Sequence, residues 1–256
     1  MFYAKLKESE KIKKLIESIK DIVSEINLEC SPTGINLQAM DSSHVALVTV
    51  NLSCEGFEDY RCDKVINLGI NVSNLWKLMK CAANEDSLTL KADLDPSQLQ
   101  VTFENLLAKK HCNFQLSLIQ IESEHLGIPE TTYSSLVIMS SGEFSKLMKE
   151  LYHLSETVNI ETGKDSVTFH ISSDLVKGDI RLENNDSNQN KTYIKVEEPV
   201  NLAFALRYLN MFTKASPLSE NVMLHLSNEY PLKVEYRLEG LGNLKYYLAP
   251  RISEDK

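Results

Sequence analysis

Asp41, Ser42, Ser43 and His44 bring an acid, two hydroxyls and an imidazole into one run of four residues, the side-chain types a serine hydrolase uses. Members of a catalytic triad come from separated elements, and sequence neighbours seldom converge in that way. Asp and Ser also initiate tight turns by bonding the backbone just ahead of them. The turn is the preferred reading, and a hydrolase centred on His44 is its rival. The other reactive types are dispersed. Cys30, Cys54, Cys62, Cys81 and Cys112 contain no C-x-x-C pair, and the six histidines are scattered, so no zinc or dithiol site is expected. There is no G-x-x-x-x-G-K-[ST] loop, and Gly240-Leu241-Gly242 stops short of a dinucleotide fingerprint. The expectation is a protein without catalytic residues, cofactor or metal.

Cations form the second pattern. Lys13 and Lys20 are seven residues apart, as are Arg207 and Lys214; Lys77/Lys80 and Lys146/Lys149 are three apart. On helices these spacings put each pair on one face. Together with Lys14 they predict a locally positive surface in a chain whose net charge is −9. Any amphipathic helix has a solvated charged face, and Glu17, Asp21, Glu143 and Glu150 dilute this one. Four helices with paired cations nevertheless point to sequence-independent contact with duplex DNA phosphates, which carry no base information. Lysine, a point charge, suits loose contact better than a forked arginine.

Four segments have the period needed to position these cations. Ile12, Leu15, Ile16, Ile19, Ile22 and Val23 predict a first helix capped by Ser9; the others are predicted over Val72–Ala83, Gly142–Leu154 and Asn201–Ala215. Between them, alternation predicts strands, as at Phe2/Ala4/Leu6, Val45/Leu47/Thr49, Val167/Phe169/Ile171 and Val222/Leu224/Leu226. The order of elements repeats in the two halves, and the string at Leu75–Lys80 resembles that at Phe144–Lys149. Leu118–Tyr133, broken by Gly127 and Pro129, reads as a connector, and Glu183–Thr192 as an exposed polar loop. The predicted domains are 1–117 and 135–256, joined by 118–134.

The chain has 256 residues, 43% hydrophobic and 25% charged, enough for a full core without disulfides or metals. Met1–Lys7 lacks the apolar stretch of a secretory leader, and no run is long and apolar enough to span a membrane. Scattered cysteines fit a reducing compartment.

The residues carry a family resemblance over the whole chain. Its most specific blocks are G-I-N-L-Q-A-M-D-S-S-H-V at Gly34–Val45, E-G-F-E-D-Y-R-C-D at Glu55–Asp63, K-C-A-A-N-E-D at Lys80–Asp86, H-L-G-I-P-E at His125–Glu130, F-A-L-R-Y-L-N-M-F-T-K-A at Phe204–Ala215, and L-K-Y-Y-L-A-P at Leu244–Pro250. The chain resembles the eukaryotic sliding clamps, the proliferating cell nuclear antigen family. That resemblance implies an α+β fold of two similar βαβββ-repeat domains, with helices lining a central hole and sheets outside. It implies a nuclear homotrimeric ring around double-stranded DNA, opened by an external ATP-driven loader. The ring would be a processivity factor for replicative DNA polymerase and a platform for flap endonuclease and DNA ligase. It would be no enzyme and would need no cofactor. The implied docking residues for short aromatic-ended peptides are Met40, His44, Val45, Leu47, Leu126, Ile128, Ala205, Pro231, Tyr247, Leu248, Ala249 and Pro250. Lys164 matches the family's ubiquitin-accepting lysine.

His111–Ser117 and Asp174–Arg181 read as strands that end their sheets, edges a neighbouring copy could pair. Trp76 and much of Leu106–Cys112 depart from the family pattern, and the latter puts the subunit contact in question. Two other readings remain open: a subunit of a hetero-trimeric checkpoint clamp, and a monomeric peptide-binding scaffold that never touches DNA.

Overall fold

The computed structural model describes residues 1–122, 126–127, 131–185 and 191–251. The chain folds as two compact units, Met1–Leu126 with Leu238–Leu244, and Gly127–Arg237 with Lys245–Lys256.

In the first unit the order is β1 (Phe2–Leu6), α1 (Glu10–Ile19), β2 (Glu25–Ser31), β3 (Gly34–Met40), β4 (Ala46–Ser53), β5 (Asp59–Cys62), β6 (Ile66–Asn71), α2 (Val72–Met79), β7 (Ser87–Ala92), β8 (Gln98–Asn105) and β9 (Lys110–Ser117). A βαβββ run thus occurs twice, with short β5 between. One sheet has the order β5-β1-β7-β8-β9, and β4-β3-β2-β6 form a second run. The helices cover apolar layers that the alternation builds. Ile12, Leu15, Ile16 and Ile19 of α1 are buried, as are Val72, Leu75 and Met79 of α2. Each such side chain contributes roughly 1.5–3 kcal/mol on burial.

The second unit repeats the order: β10 (Ser135–Ser140), α3 (Ser141–Leu154), β11 (Thr157–Gly163), β12 (Ser166–Ser172), β13 (Lys177–Glu183), β14 (Tyr193–Val196), β15 (Asn201–Ala205), α4 (Leu206–Phe212), β16 (Asn221–Leu226), β17 (Leu232–Leu238) and β18 (Gly242–Leu248). One sheet has the order β13-β12-β11-β15, and β14-β10-β16-β17 are neighbours in another. Phe212 stacks on Tyr246 with ring centroids 4.4 Å apart, and Tyr236 meets Tyr246 edge-on, all three buried.

Several expectations need correction. The first helix stops at Ile19; Ile22 and Val23 keep the apolar spacing but sit in a turn, both amides bonding Ile19 O. The second stops at Met79, not Ala83, where Cys81 and Ala82 close shorter turns on Leu78 and Met79. Ser9 precedes α1 without capping it. Its hydroxyl donates to Ala83 O at 2.8 Å and its amide to Asp86 O at 2.7 Å, tying α1 to the turn after α2. Asn201–Ala215 is not one helix. Asn201–Ala205 is a strand paired with β11, α4 is only Leu206–Phe212, and Thr213–Leu218 is a 3₁₀ stretch. Leu202 and Phe204 satisfy a period of two as well as one of three to four, and pairing decided between them. In β4, Ala46 to Val50 are all buried, so both faces of that stretch are covered.

The edge-strand expectations hold. β9 ends one sheet and β13 ends another; β13 begins at Lys177 because Ser173–Val176 close the turn before it, with Ser173 N donating to Val176 O at 2.8 Å. The described connector residues, 118–122, 126–127 and 131–133, form no helix or strand. Ile119 N donates to Gly69 O at 2.9 Å, and a Cβ on Gly69 would lie 2.0 Å from Ile119 O. Gly69 is therefore glycine for close approach. The polar loop's base is closed by Asn185 pairing with Thr192; its tip, 186–190, lies outside the described residues.

Candidate functional site

The D-S-S-H run is a turn. Asp41 is 5% exposed and accepts three backbone amides: Ser43 N at 3.1 Å on Oδ2, and Val45 N at 2.8 Å and Ala46 N at 2.7 Å on Oδ1. His44 N donates to Asp41 O at 3.0 Å. His44 itself is exposed with φ 55°, a left-handed conformation that His tolerates better than most residues. The carboxylate is thus spent on folding the loop that presents His44.

That loop joins β3 to β4. Met40 and Val45 are half-buried beside it, while Leu47 points into the core. Leu126 is 40% exposed, and its backbone is gripped by Gln38 of β3: Gln38 Nε2 donates to Leu126 O at 2.9 Å, and Leu126 N donates to Gln38 Oε1 at 3.0 Å. Sequence reading missed Gln38, although it sits inside the most specific block. Ile128 lies outside the described residues. The docking residues of the second unit form a separate set. Pro231 and Ala249 are exposed, Tyr247 and Pro250 half-buried, and Ala205 and Leu248 buried. Arg251 N donates to Ala203 O at 2.7 Å and so anchors the chain just after Pro250.

Tyr133 was also missed. Its ring packs against His225 and Tyr230, with centroids 5.5 and 6.2 Å away, and Lys233 Nζ sits 4.8 Å from its centroid. Burial pushes the Tyr133 phenol up to about 12 and Lys233 down. Burial also works to raise Glu235, but His225, Lys245 and Lys233 outweigh it and hold the carboxyl below its usual value. His225 Nε2 lies 3.4 Å from Glu235 Oε2, an ion-pair distance without hydrogen-bond geometry.

In the first unit, cations gather where α1 and α2 meet. Lys13 Nζ donates to Ala82 O at 2.8 Å, just past the end of α2, where helix carbonyls favour a cation. Lys20 and Lys80 place their ammonium groups 5.9 and 5.4 Å from the Trp76 ring centroid. Trp76 is half-buried on α2, and sequence gave it no role. Lys77 and Lys80 are exposed. Two expected cations are partly neutralised: Lys14 pairs with Glu10 at 2.8 Å and Lys20 with Asp21 at 3.0 Å. In the second unit, Lys146 and Lys149 on α3 are exposed, as are Arg207 on α4 and Lys214 in the 3₁₀ stretch. The Arg207 guanidinium lies 4.7 Å from the Tyr208 ring centroid. Lys164 is exposed at the two-residue turn joining β11 to β12, where Gly163 pairs with Ser166. Among the described residues, no group of three or more His, Cys, Asp or Glu could hold a metal ion.

Two units of one repeated order, each carrying cations on its helices, define the class of DNA sliding clamps, and comparison with family models agrees. Residues 1–125 match the model of the proliferating cell nuclear antigen N-terminal domain, and residues 127–251 match its C-terminal domain. The chain belongs to the proliferating cell nuclear antigen family. Clamps of this family are not enzymes; they act on DNA in replication and repair.

Proposed function

We propose that three copies of this chain close head to tail into a ring around duplex DNA in the nucleus. The longest edge strand of each unit belongs to a different sheet, β9 (8 residues) in the first and β13 (7 residues) in the second. Joining unlike edges is a heterologous contact, which closes into a ring when the rotation suits and hides both edges. This pair of edges is the observation that carries the reading. Lys13, Lys14, Lys20, Lys77, Lys80, Lys146, Lys149, Arg207 and Lys214 contact phosphates without reading bases. Retention is then topological, and the salt-sensitive contact serves sliding.

The ring tethers its clients and makes their encounter with DNA effectively intramolecular. Replicative polymerase, clamp loader, flap endonuclease and ligase dock short aromatic-ended peptides on the exposed and half-buried members of the docking set. Met40, His44, Val45 and Leu126 serve from the first unit, with Ile128; Pro231, Tyr247, Ala249 and Pro250 serve from the second. Leu47, Ala205 and Leu248 support them from beneath. Anchoring an aromatic side chain in such a surface is the common way a short helix gains affinity. Lys164, on an exposed hairpin turn, accepts a modifier that adds a second binding site. A connector over 118–134 joins the two domains, 1–117 and 135–256.

The test is solution mass by light scattering, followed by retention on circular against linear duplex. A mass of three chains, with retention lost when the circle is cut, is expected. A single-chain mass at micromolar and nanomolar concentration would favour the monomeric scaffold, and copurification with two unlike subunits the checkpoint clamp.

A further inference from the structure

Lys233 is a half-buried lysine on a strand of the second unit. His225 of β16 stands directly opposite it in the register, so the two side chains share one face of the sheet. Glu235, two residues along β17, shares that face by alternation. Its carboxylate is turned to His225, 3.4 Å away. Among the described residues, Lys233 has no hydrogen bond and no ion pair. What its ammonium group meets instead is the ring of Tyr133, with the centroid 4.8 Å away. A ring offsets only part of the cost of taking an ammonium group out of water. Burial accordingly lowers the pKa of Lys233, against Glu235 and with the help of Lys245. Two ammonium groups, Lys233 and Lys245, thus stand around the single carboxylate of Glu235. This face is locally positive in a chain of net charge −9.

The same lysine borders docking residues of its own unit. Tyr133 packs against His225 and Tyr230. Tyr247 lies close enough to Tyr133 to add to the effect of burial on its phenol. Exposed Pro231 follows half-buried Tyr230 and leads into β17. Aromatic and apolar groups that can receive a ring therefore stand beside a partly desolvated cation with no counter-ion in contact. Rings supply affinity at such surfaces, and charge supplies the choice between partners.

We propose that Lys233 selects among docking peptides by taking the carboxylate of an Asp or Glu that flanks the aromatic end, while that end packs against Tyr133, Tyr230 and Pro231. This rests on the docking reading above and adds to it a preference for acidic peptides. An incoming carboxylate gives Lys233 a charge-assisted hydrogen bond in place of water. It breaks no existing pair, because Glu235 stays with His225. A cationic side chain at the same place would meet Lys233 and Lys245 together.

The experiment measures peptide affinity by fluorescence anisotropy for three chains: the unaltered protein, Lys233→Met and Lys233→Glu. The probes are short aromatic-ended peptides with Glu, Gln or Lys placed in turn at each position flanking the aromatic pair. Met keeps an unbranched apolar stem against Tyr133, and circular dichroism compares the folds of the three chains. At one flanking position the unaltered protein should bind the Glu peptide roughly 10-fold tighter than the Gln peptide, and the Lys peptide most weakly. Lys233→Met should level Glu with Gln, and Lys233→Glu should invert the order in favour of Lys. A loosened sheet would weaken all three peptides alike, so the inversion marks direct contact. Equal binding of Glu, Gln and Lys peptides by the unaltered protein at every position would overturn the preference and leave docking standing. A preference that survives Lys233→Met would overturn the assignment to Lys233. Failure of every peptide to bind the unaltered protein would overturn the docking reading, and this inference with it.

Discussion

Gln38 holds Leu126 by both ends of its amide, donating from Nε2 to Leu126 O at 2.9 Å and accepting Leu126 N–H on Oε1 at 3.0 Å. The pair copies the two-way bond of a β-bridge with a side chain in place of a strand. It links β3 to a residue 88 positions later, one whose side chain stays 40% exposed. Leu126 is thus presented to solvent on a backbone fixed from below.

Gln38→Ala should release Leu126 without unfolding the unit. Both bonds are exposed, so the global cost should stay near about 1 kcal/mol. The local effect should be larger: hydrogen exchange at the Leu126 amide should approach that of an open chain while amides of β3 and β4 keep their protection. If Leu126 serves in docking, affinity for aromatic-ended peptides should fall several-fold. Unchanged Leu126 exchange would show that other contacts fix the connector.

The order of elements was legible because alternation and helical spacing each survive in short windows: β1, α1, β12 and β16 follow from their apolar positions alone. The ends were less so. Ile22 and Val23 continue an apolar period that the backbone abandons after Lys20, and Asn201–Ala205 fits two periods at once. Side-chain pairings across the chain were not legible at all. Nothing in Gln38 announces Leu126, nothing in Ser9 announces Ala83, and nothing in Trp76 announces Lys20 and Lys80 beside its ring. Periodicity reports which face of an element is buried, whereas these pairs depend on which elements become neighbours.

Trp76 is the only tryptophan in the chain, so its fluorescence reports the junction of α1 and α2. Each ammonium group beside this half-buried ring contributes about 0.5–1 kcal/mol. Lys20→Ala and Lys80→Ala should each shift the emission, and Trp76→Ala should lower stability by roughly 1 kcal/mol. Duplex DNA should perturb the emission in a salt-dependent way if these lysines turn to phosphates, and Lys80→Ala should reduce that response. Emission indifferent to both lysines would mean that the ring is held by α1–α2 packing alone.

Asp41 offers a sharper test of the loop that presents His44. Its three amide bonds are lost together in Asp41→Ala, leaving the buried Ala46 N–H and the part-buried Ser43 and Val45 N–H groups without that acceptor, with an expected cost of roughly 1–3 kcal/mol. Asp41→Asn keeps an acceptor and should cost less. Urea unfolding of both variants measures this. A hydrolase centred on His44 would instead show turnover that Asp41→Asn abolishes at unchanged stability.

Asp86 sets an acid limit on the first unit. Its carboxylate is 2% exposed and accepts Ala83 N and Asn105 Nδ2, each at 2.9 Å. Burial works to raise its pKa, but those two bonds, with Lys110 and Lys13 nearby, outweigh it and hold the group below its ordinary 3.8. The folded-state value is the lower one, so the ionised carboxylate stabilises the fold fully above the unfolded value. That stability is lost as pH falls through the folded value. Asp86→Asn should melt lower at neutral pH, by about 2–4 °C for each 1 kcal/mol lost in a chain of this size. The gap to the unaltered protein should narrow as the pH drops below about 4, because only the unaltered protein has a charge there to lose. Melting curves that stay parallel down to pH of about 3 would place the acid sensitivity elsewhere, with the exposed Asp63–Arg61 pair and the half-buried Glu10–Lys14 pair as the next carboxylates to substitute.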